Sequence, residues 1–147
     1  MRVLLLSGPS LNMLGVREPE IYGTMTYLQL FQEMREYAVA RGVELIHYQS
    51  NHEGALIDRI QQSWREGDTA ILFNPGAYTH TSIALLDAVK SVPMPVVEIH
   101  LSDPMQREEF RHVSYVGMGC IGTFKGKGID SYKEALDYLL TYLAEHP

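Results

Sequence analysis

The apolar residues of this chain fall into short runs that alternate with longer segments of helical periodicity. The runs at residues 3–6, 69–73 and 96–101 are bounded by turn residues, which predicts buried strands. Residues 43–49 are predicted as a further strand. The prediction for residues 114–123 is weaker, because this stretch alternates only loosely and contains several glycines. The chain is therefore expected to contain five strands.

Between these strands, apolar residues recur at helical spacing. Helices are predicted after Thr24 or Thr26, after the polar turn at residues 50–54, after the segment at residues 79–82, and from Ser131 onward. The positions expected to face the core are Leu28, Phe31, Met34 or Arg35, and Ala38; Leu56, Ile57, Ile60 and Trp64; Ile83, Leu86 and Val89; and Tyr132, Ala135, Leu136, Leu139, Leu140 and Leu143.

Strands and helices alternate without an internal repeat, a low-complexity segment or a linker. We therefore predict a single domain over residues 1–147, with a doubly wound α/β fold and a five-stranded parallel sheet of flavodoxin-like order. The polar segment at residues 11–22 is long for a strand-to-helix loop, and such loops inside compact domains usually have a function. The fold class by itself names no reaction.

Charge and cysteine content narrow the classes of partner and location. The formal net charge is -6 and basic residues are scattered, which argues against nucleic acid or an anionic membrane surface as the main partner. No apolar run has transmembrane length, and no secretory cleavage pattern follows the apolar start. The single cysteine, Cys120, excludes an intrachain disulfide and favours the cytoplasm. The six histidines lack zinc-site spacing, so no metal is expected.

Candidate polar side chains gather after the first, third and fourth strands, which open at the same edge of such a sheet. Asn74 and His80 follow the third strand. In the fourth strand, Glu98 and His100 are two residues apart and therefore share a face. A carboxylate beside an imidazole orients the ring and favours its charged form, which suits a general acid. A histidine that is simply satisfied within the core is the alternative.

A second candidate pair, Arg17 and Tyr22, lies in the loop after the first strand. A free tyrosine has a pKa near ~10, so it is a poor base at neutral pH unless positive charge stabilises the phenolate. The guanidinium of Arg17, which stays charged, would supply that charge. The alternative is a tyrosine that packs its ring beside a solvated arginine.

Six sequence blocks together resemble the type II 3-dehydroquinate dehydratases. The blocks occur in the order typical of that family, and chain length and the helical C-terminus are also similar. They are residues 6–15, 17–23, 49–54, 74–82, 98–102 and 107–112. The set is specific, whereas a single block would be much less so.

The resemblance implies removal of water from 3-dehydroquinate to give 3-dehydroshikimate, by anti elimination through an enolate. It implies no metal, no cofactor and no Schiff-base lysine. Carried over by position, Tyr22 is the base that removes the proton next to the ketone, and Arg17 keeps its phenol acidic. His100 protonates the departing hydroxyl and is oriented by Glu98.

The resemblance also implies which residues hold the substrate. The backbone at Leu101 and Ser102, the Ser102 hydroxyl and Asn74 would bind the substrate carboxylate. His80 and Arg111 would bind the ring hydroxyls.

Further implied features are a lid and an assembly. The loop near residues 11–23 would close over the substrate, and Arg107 would stay near this lid. Asp87 would reach the site of a neighbouring subunit, since the family packs trimers into dodecamers.

The chain departs from the family pattern at Ser7-Gly8-Pro9-Ser10, where the family usually reads Asn-Gly-Pro-Asn. The second asparagine helps to hold a water at the enolate oxygen, and Ser10 offers a shorter hydroxyl for that role. Two alternatives to the dehydratase therefore stay open. One is a divergent member that acts on a modified cyclic keto-acid, and the other is a non-catalytic binding protein.

Overall fold

The computed structural model describes all 147 residues as one α/β unit. Its strands are β1 (Arg2–Ser7), β2 (Glu44–Gln49), β3 (Ala70–Asn74), β4 (Val96–Ile99) and β5 (Gly122–Phe124). Its helices are α1 (Pro19–Tyr22), α2 (Tyr27–Val39), α3 (Glu53–Arg65), α4 (Ile83–Ser91) and α5 (Ile129–Glu145). No helix has the length and apolar character needed to cross a membrane.

The five strands form one parallel sheet in the order β2-β1-β3-β4-β5. This is the flavodoxin-like order, so the predicted fold class is confirmed. The register pairs Ser7 with Asn74 and Phe73 with Glu98. The loops after β1, β3 and β4 therefore leave the sheet side by side at its carboxyl edge.

Two apolar layers cover the two faces of the sheet. Because successive strand residues point to opposite faces, β1 sends Val3 and Leu5 to one layer and Leu4 and Leu6 to the other. Helices α2 and α5 contribute to the first layer, and α3 and α4 contribute to the second. Burial on both faces accounts for the continuous apolar run of this strand.

Two helices begin at the predicted type of capping residue. Thr26, rather than Thr24, caps α2: its hydroxyl accepts from the N–H of Gln29 (3.2 Å), and the Gln29 side chain accepts from the N–H of Thr26 (2.9 Å). Ser82 caps α4 by accepting from the N–H of Leu85 at 2.9 Å.

The other long helices, α3 and α5, begin after His52 and Gly128 without a side-chain cap, and the predicted start Ser131 lies within α5.

Three apolar residues that the sequence pattern placed in the core are exposed. Leu28, Trp64 and Ile83 expose 68%, 54% and 50% of their surface. The inward face of α2 begins one residue before Leu28, and Ile83 is the first residue of α4. In the last turn of α3, Ser63 takes the inward position because its hydroxyl bonds the carboxylate of Asp68.

The strands on the β5 side are shorter than predicted. β4 ends at Ile99 instead of residue 101, and β5 has only three residues. Most of the segment predicted as the fifth strand is irregular, and Val116–Gly119 forms a 3₁₀ turn. This turn passes so close to β4 that a Cβ on Gly117 would lie 2.5 Å from Oε1 of Glu98. The prediction was wrong here because the chain turns to cover a buried carboxylate.

The loops after β1 and β3 meet at Gly8. Its N–H donates to the carbonyl of Asn74 at 2.8 Å, and a Cβ at this position would lie 2.3 Å from the carbonyl oxygen of Pro75. Only glycine allows this approach, which sets the distance between the two loops.

We predict that Gly8→Ala lowers the free energy of unfolding by about 1–3 kcal/mol, because backbone atoms must move to admit the methyl group. Urea unfolding followed by circular dichroism measures the change. Gly54→Ala is the matched control, since Gly54 lies in α3 with open space around it and alanine favours a helix. Equal stability of the two variants would contradict the prediction.

Candidate active site

A cavity opens at the carboxyl edge of the sheet, between the loops that follow β1, β3 and β4. The predicted site residues line it, except for Glu98 and Asp87. Its lining is Pro9, Ser10, Leu11, Arg17, Tyr22, Asn74, Gly76, Ala77, His80, His100, Leu101, Ser102, Pro104, Arg107 and Arg111.

Tyr22 ends the short helix α1 and receives hydrogen bonds from two arginines. Nη1 of Arg107 lies 2.5 Å from the phenol oxygen, and Nη2 of Arg17 lies 3.2 Å from it. Arg17 also covers the ring, with its guanidinium carbon 4.2 Å from the ring centroid. The sequence indicated only Arg17 as the partner, whereas Arg107 makes the shorter contact. Two permanently charged guanidinium groups therefore contact the phenol oxygen.

Glu98 lies behind the cavity, where it orients His100. Its Oε2 is 2.9 Å from Nε2 of His100, which is the first residue after β4. Because the carboxylate accepts the Nε2 proton, Nδ1 is the nitrogen left for a ligand. His100 is only 8% exposed but lines the cavity, so it is more than a histidine satisfied within the core.

The charge of Glu98 persists despite its burial. Burial raises the pKa of this carboxyl, but hydrogen bonds and charge from His100, with hydrogen bonds from Ser114 and Thr79, outweigh it and lower the pKa to about 2. The group is therefore a carboxylate at neutral pH.

His80 presents an acceptor to the cavity. Its Nδ1 lies 2.7 Å from the carbonyl oxygen of Val113, and because a carbonyl cannot donate, Nδ1 carries the proton. Burial lowers the pKa of His80, and the nearby His100 and Arg111 lower it further, although the hydrogen bond to Val113 opposes them. The ring is therefore neutral at neutral pH, and its Nε2 accepts a hydrogen bond from a ligand hydroxyl.

The loop after β4 offers two backbone donors. The carbonyls of Leu101 and Ser102 accept from the N–H groups of Gly128 and Gly126, at 3.0 and 3.2 Å. No backbone carbonyl accepts the N–H groups of Leu101 and Ser102 themselves. Adjacent free N–H groups form a site for an anion such as a carboxylate.

Asn74 ends β3 with its amide held on both sides. Its Nδ2 donates to the hydroxyl of Tyr132 at 2.7 Å, and its Oδ1 accepts from the N–H of Gly76 at 3.0 Å. Tyr132 is 1% exposed, and burial raises its pKa, so it stays a neutral phenol. These two hydrogen bonds fix the orientation of the amide, and its second Nδ2 proton remains available at the cavity wall.

Ser10 adopts a left-handed backbone conformation, with φ 69° and ψ -1°. Asparagine tolerates this region better than serine. The N–H of Ser10 donates to Oδ1 of Asn51 at 3.0 Å. The Ser10 hydroxyl does not cap the 3₁₀ turn at Leu11–Met13 that follows. The hydroxyl is therefore available at the cavity.

Comparison with known proteins places this arrangement in a family. A sequence model of the family described as Dehydroquinase class II matches residues 1–140. The chain belongs to the class II dehydroquinase family. The 3-dehydroquinate dehydratase 1 of Ralstonia nicotianae is 52% identical over 139 residues, which are 95% of this chain and 89% of that protein. The 3-dehydroquinate dehydratase of Carboxydothermus hydrogenoformans is 51% identical over 143 residues, 97% of this chain and 92% of that protein.

Solved structures of the family have the same architecture. The type II dehydroquinase from Butyrivibrio crossotus superposes with a TM-score of 0.93 at 45% sequence identity. The superposition covers 95% of this chain and 97% of that one. The type II dehydroquinase from Propionibacterium acnes gives a TM-score of 0.91 at 37% identity.

Sequence reasoning missed three residues that contact Glu98 behind the cavity. The hydroxyls of Thr79, Ser114 and Thr123 bind Glu98, although none of them was singled out. Thr79 lies within a block that resembles the family, so a signal existed for it. Ser114 and Thr123 lie in the poorly predicted fifth-strand segment and had none.

Asp87, unlike Glu98, makes no side-chain hydrogen bond to a residue that lines the cavity. It is exposed on α4, so it makes no contribution to the site of its own chain.

We predict that Tyr132→Phe lowers the free energy of unfolding by about 1–3 kcal/mol, because an amide proton of buried Asn74 loses its acceptor. Thermal and urea unfolding measure the change. Tyr142→Phe, an identical substitution near the end of α5, is the control and should leave stability unchanged. A Tyr132→Phe protein as stable as this control would show that the hydrogen bond does not matter.

Proposed function

We propose that this chain is a 3-dehydroquinate dehydratase that removes water from 3-dehydroquinate to give 3-dehydroshikimate. The observation that carries the proposal is one cavity holding both an activated phenol and a carboxylate-oriented imidazole. Tyr22 sits between two guanidiniums, and His100 is held by Glu98. This is a base and an acid in the same site, as an elimination of water requires.

The first step is removal of the proton next to the ketone. The Tyr22 phenolate takes this proton, and the C–H electron pair moves into an enolate. Arg17 and Arg107 donate to the phenol oxygen and compensate its charge before the transfer. The Ser10 hydroxyl, which lines the cavity, donates to the enolate oxygen directly or through a water.

The second step is departure of the hydroxyl. His100 gives a proton to the leaving oxygen, the C–O bond breaks, and the enolate electrons form the new C=C bond. Water is the second product. Glu98 accepts the Nε2 proton of His100 and holds the imidazole in position for the transfer.

Donors around the cavity match the rest of the substrate. The N–H groups of Leu101 and Ser102, together with Asn74, bind the carboxylate. The acceptor Nε2 of His80 and the guanidinium of Arg111 bind the ring hydroxyls. Because the protein carries a net charge of -6, the attraction for an anionic substrate must be local.

The relatives favour this function over the two alternatives. The Ralstonia and Carboxydothermus proteins, at 52% and 51% identity, are both named as 3-dehydroquinate dehydratases. No feature of the cavity indicates a different keto-acid.

Three further proposals concern the assembly, the lid and the location of the protein. The exposed position of Asp87 supports a homo-oligomer, a dodecamer built from trimers, in which it reaches a neighbour's site. Residues 11–23 carry Arg17 and Tyr22 over the cavity, which supports their role as a lid. The single cysteine, Cys120, supports work in a reducing compartment such as the cytoplasm.

The acid and base roles are separable by isotope exchange. Purified protein is mixed with 3-dehydroquinate in deuterium oxide, and deuterium in recovered substrate is measured alongside product. We predict that Tyr22→Phe lowers both exchange and dehydration by at least ~10²-fold, because the base is missing. His100→Ala should slow dehydration by ~10²-fold or more and slow exchange much less.

The control variants are Tyr142→Phe and His146→Ala at the C-terminal end, which should match the unaltered protein. Undiminished dehydration by Tyr22→Phe would contradict the proposed base. Equal slowing of both steps in His100→Ala would contradict the proposed acid.

A further inference from the structure

The Glu98 carboxylate is enclosed by side-chain donors from separate parts of the chain. Besides His100, the donors are three hydroxyl groups, which we call the hydroxyl cage: Thr79, Ser114 and Thr123. Thr79 follows β3, Ser114 precedes the turn at Val116–Gly119, and Thr123 lies in β5. Glu98 itself is 1% exposed. None of these hydroxyls lines the substrate cavity.

The cage uses both oxygens of the carboxylate. Oε2 accepts from Thr79 at 2.5 Å, from Ser114, and from His100 at 2.9 Å. Oε1 accepts from Oγ1 of Thr123 at 2.7 Å. Thr123 is therefore the side chain that occupies the oxygen turned away from His100.

The surrounding backbone holds the cage in place. The N–H of Gly117 donates to Oγ of Ser114 at 3.0 Å, and the Ser114 and Thr79 hydroxyls lie 2.8 Å apart. Any side chain at Gly117 would collide with Oε1 of Glu98. The carboxylate consequently has no room to rotate.

Such a cage has a chemical consequence for a buried acid. Burial disfavours the charged form, and a carboxylate without donors would take up a proton. Hydrogen bonds from hydroxyl groups stabilise the anion without adding charge. They therefore keep Glu98 charged while leaving its contact with His100 intact.

We propose that the hydroxyl cage, and Thr123 in particular, is a positioning device that keeps Glu98 ionised and aimed at His100 during turnover. The proposal rests on the proposed dehydratase function. Thr123 acts through Glu98 and touches neither the substrate nor the reacting atoms.

Other ionisable groups near the pair must be considered in any pH measurement. His80 and Arg111 lie on the substrate side. His112 and Lys125 line a smaller second cavity behind His100. Cys120 lies just after the turn that covers Glu98. None of them donates a hydrogen bond to Glu98, so the cage hydroxyls can be changed without altering the charge around the pair.

The test compares Thr123→Val, which keeps shape but removes the donor, with Thr123→Ser, which keeps the donor. With 3-dehydroquinate as substrate, kcat should fall about tenfold throughout the neutral pH profile in Thr123→Val, because Glu98 stays ionised there but loses one of the donors that aim it at His100. KM should stay unchanged, because Thr123 does not line the substrate cavity. Thr123→Ser should restore the original profile.

A second readout does not depend on activity. Carbon-13 NMR of the Glu98 carboxyl should show a higher pKa in Thr123→Val than in the unaltered protein, and the original value in Thr123→Ser. Thr141→Val, on the exposed side of α5, is the control for the substitution itself and should change neither measurement.

The outcomes separate the two proposals. If the unaltered protein produces no 3-dehydroshikimate, the dehydratase function is contradicted. The NMR titration of Glu98 would still test the hydroxyl cage in that case. Turnover with a Thr123→Val profile and titration identical to the unaltered protein would overturn the positioning role. If Thr123→Val does not fold, Ser114→Ala is measured in the same two ways and decides the question.

Discussion

A charged carboxylate buried at the carboxyl end of β4 constrains the chain around it. Four donors converge on Glu98, and they come from the end of β4, the turn after β3, the segment before the 3₁₀ turn, and β5. An unpaired charge at this depth would be very costly, so these segments must fold together. The short β5 and the glycine turn at Gly117 are consequences of this requirement.

His100 and Tyr22 have charged partners of opposite sign. The ring of His100 contacts the buried carboxylate of Glu98, whereas the phenol oxygen of Tyr22 contacts the guanidinium groups of Arg17 and Arg107. In the proposed mechanism, these opposite local charges distinguish the acid from the base within one cavity, as elimination requires. The proposed acid follows the last residue of β4, and the proposed base lies at the end of α1 in the loop after β1.

The sequence was sufficient for the fold class and for most of the cavity lining, because strand periodicity and the positions after parallel strands determine both. It was insufficient where tertiary contacts override local pattern. Ser63 takes the inward position expected for an apolar residue because its hydroxyl bonds Asp68. The segment before β5 forms a turn that covers Glu98 instead of a strand. The contact from Arg107 to Tyr22 spans 85 positions and follows from no local signal.

The most direct test of the account follows the ultraviolet absorbance of the conjugated enone as purified protein meets 3-dehydroquinate, with no metal or cofactor added. The result also shows whether Ser10 can serve at the enolate oxygen, where the family usually has asparagine. A dehydratase gives a steady rise in absorbance until the substrate approaches equilibrium with its product. No rise, together with clear thermal stabilisation of the protein by 3-dehydroquinate, would contradict the dehydratase function and indicate a binding protein.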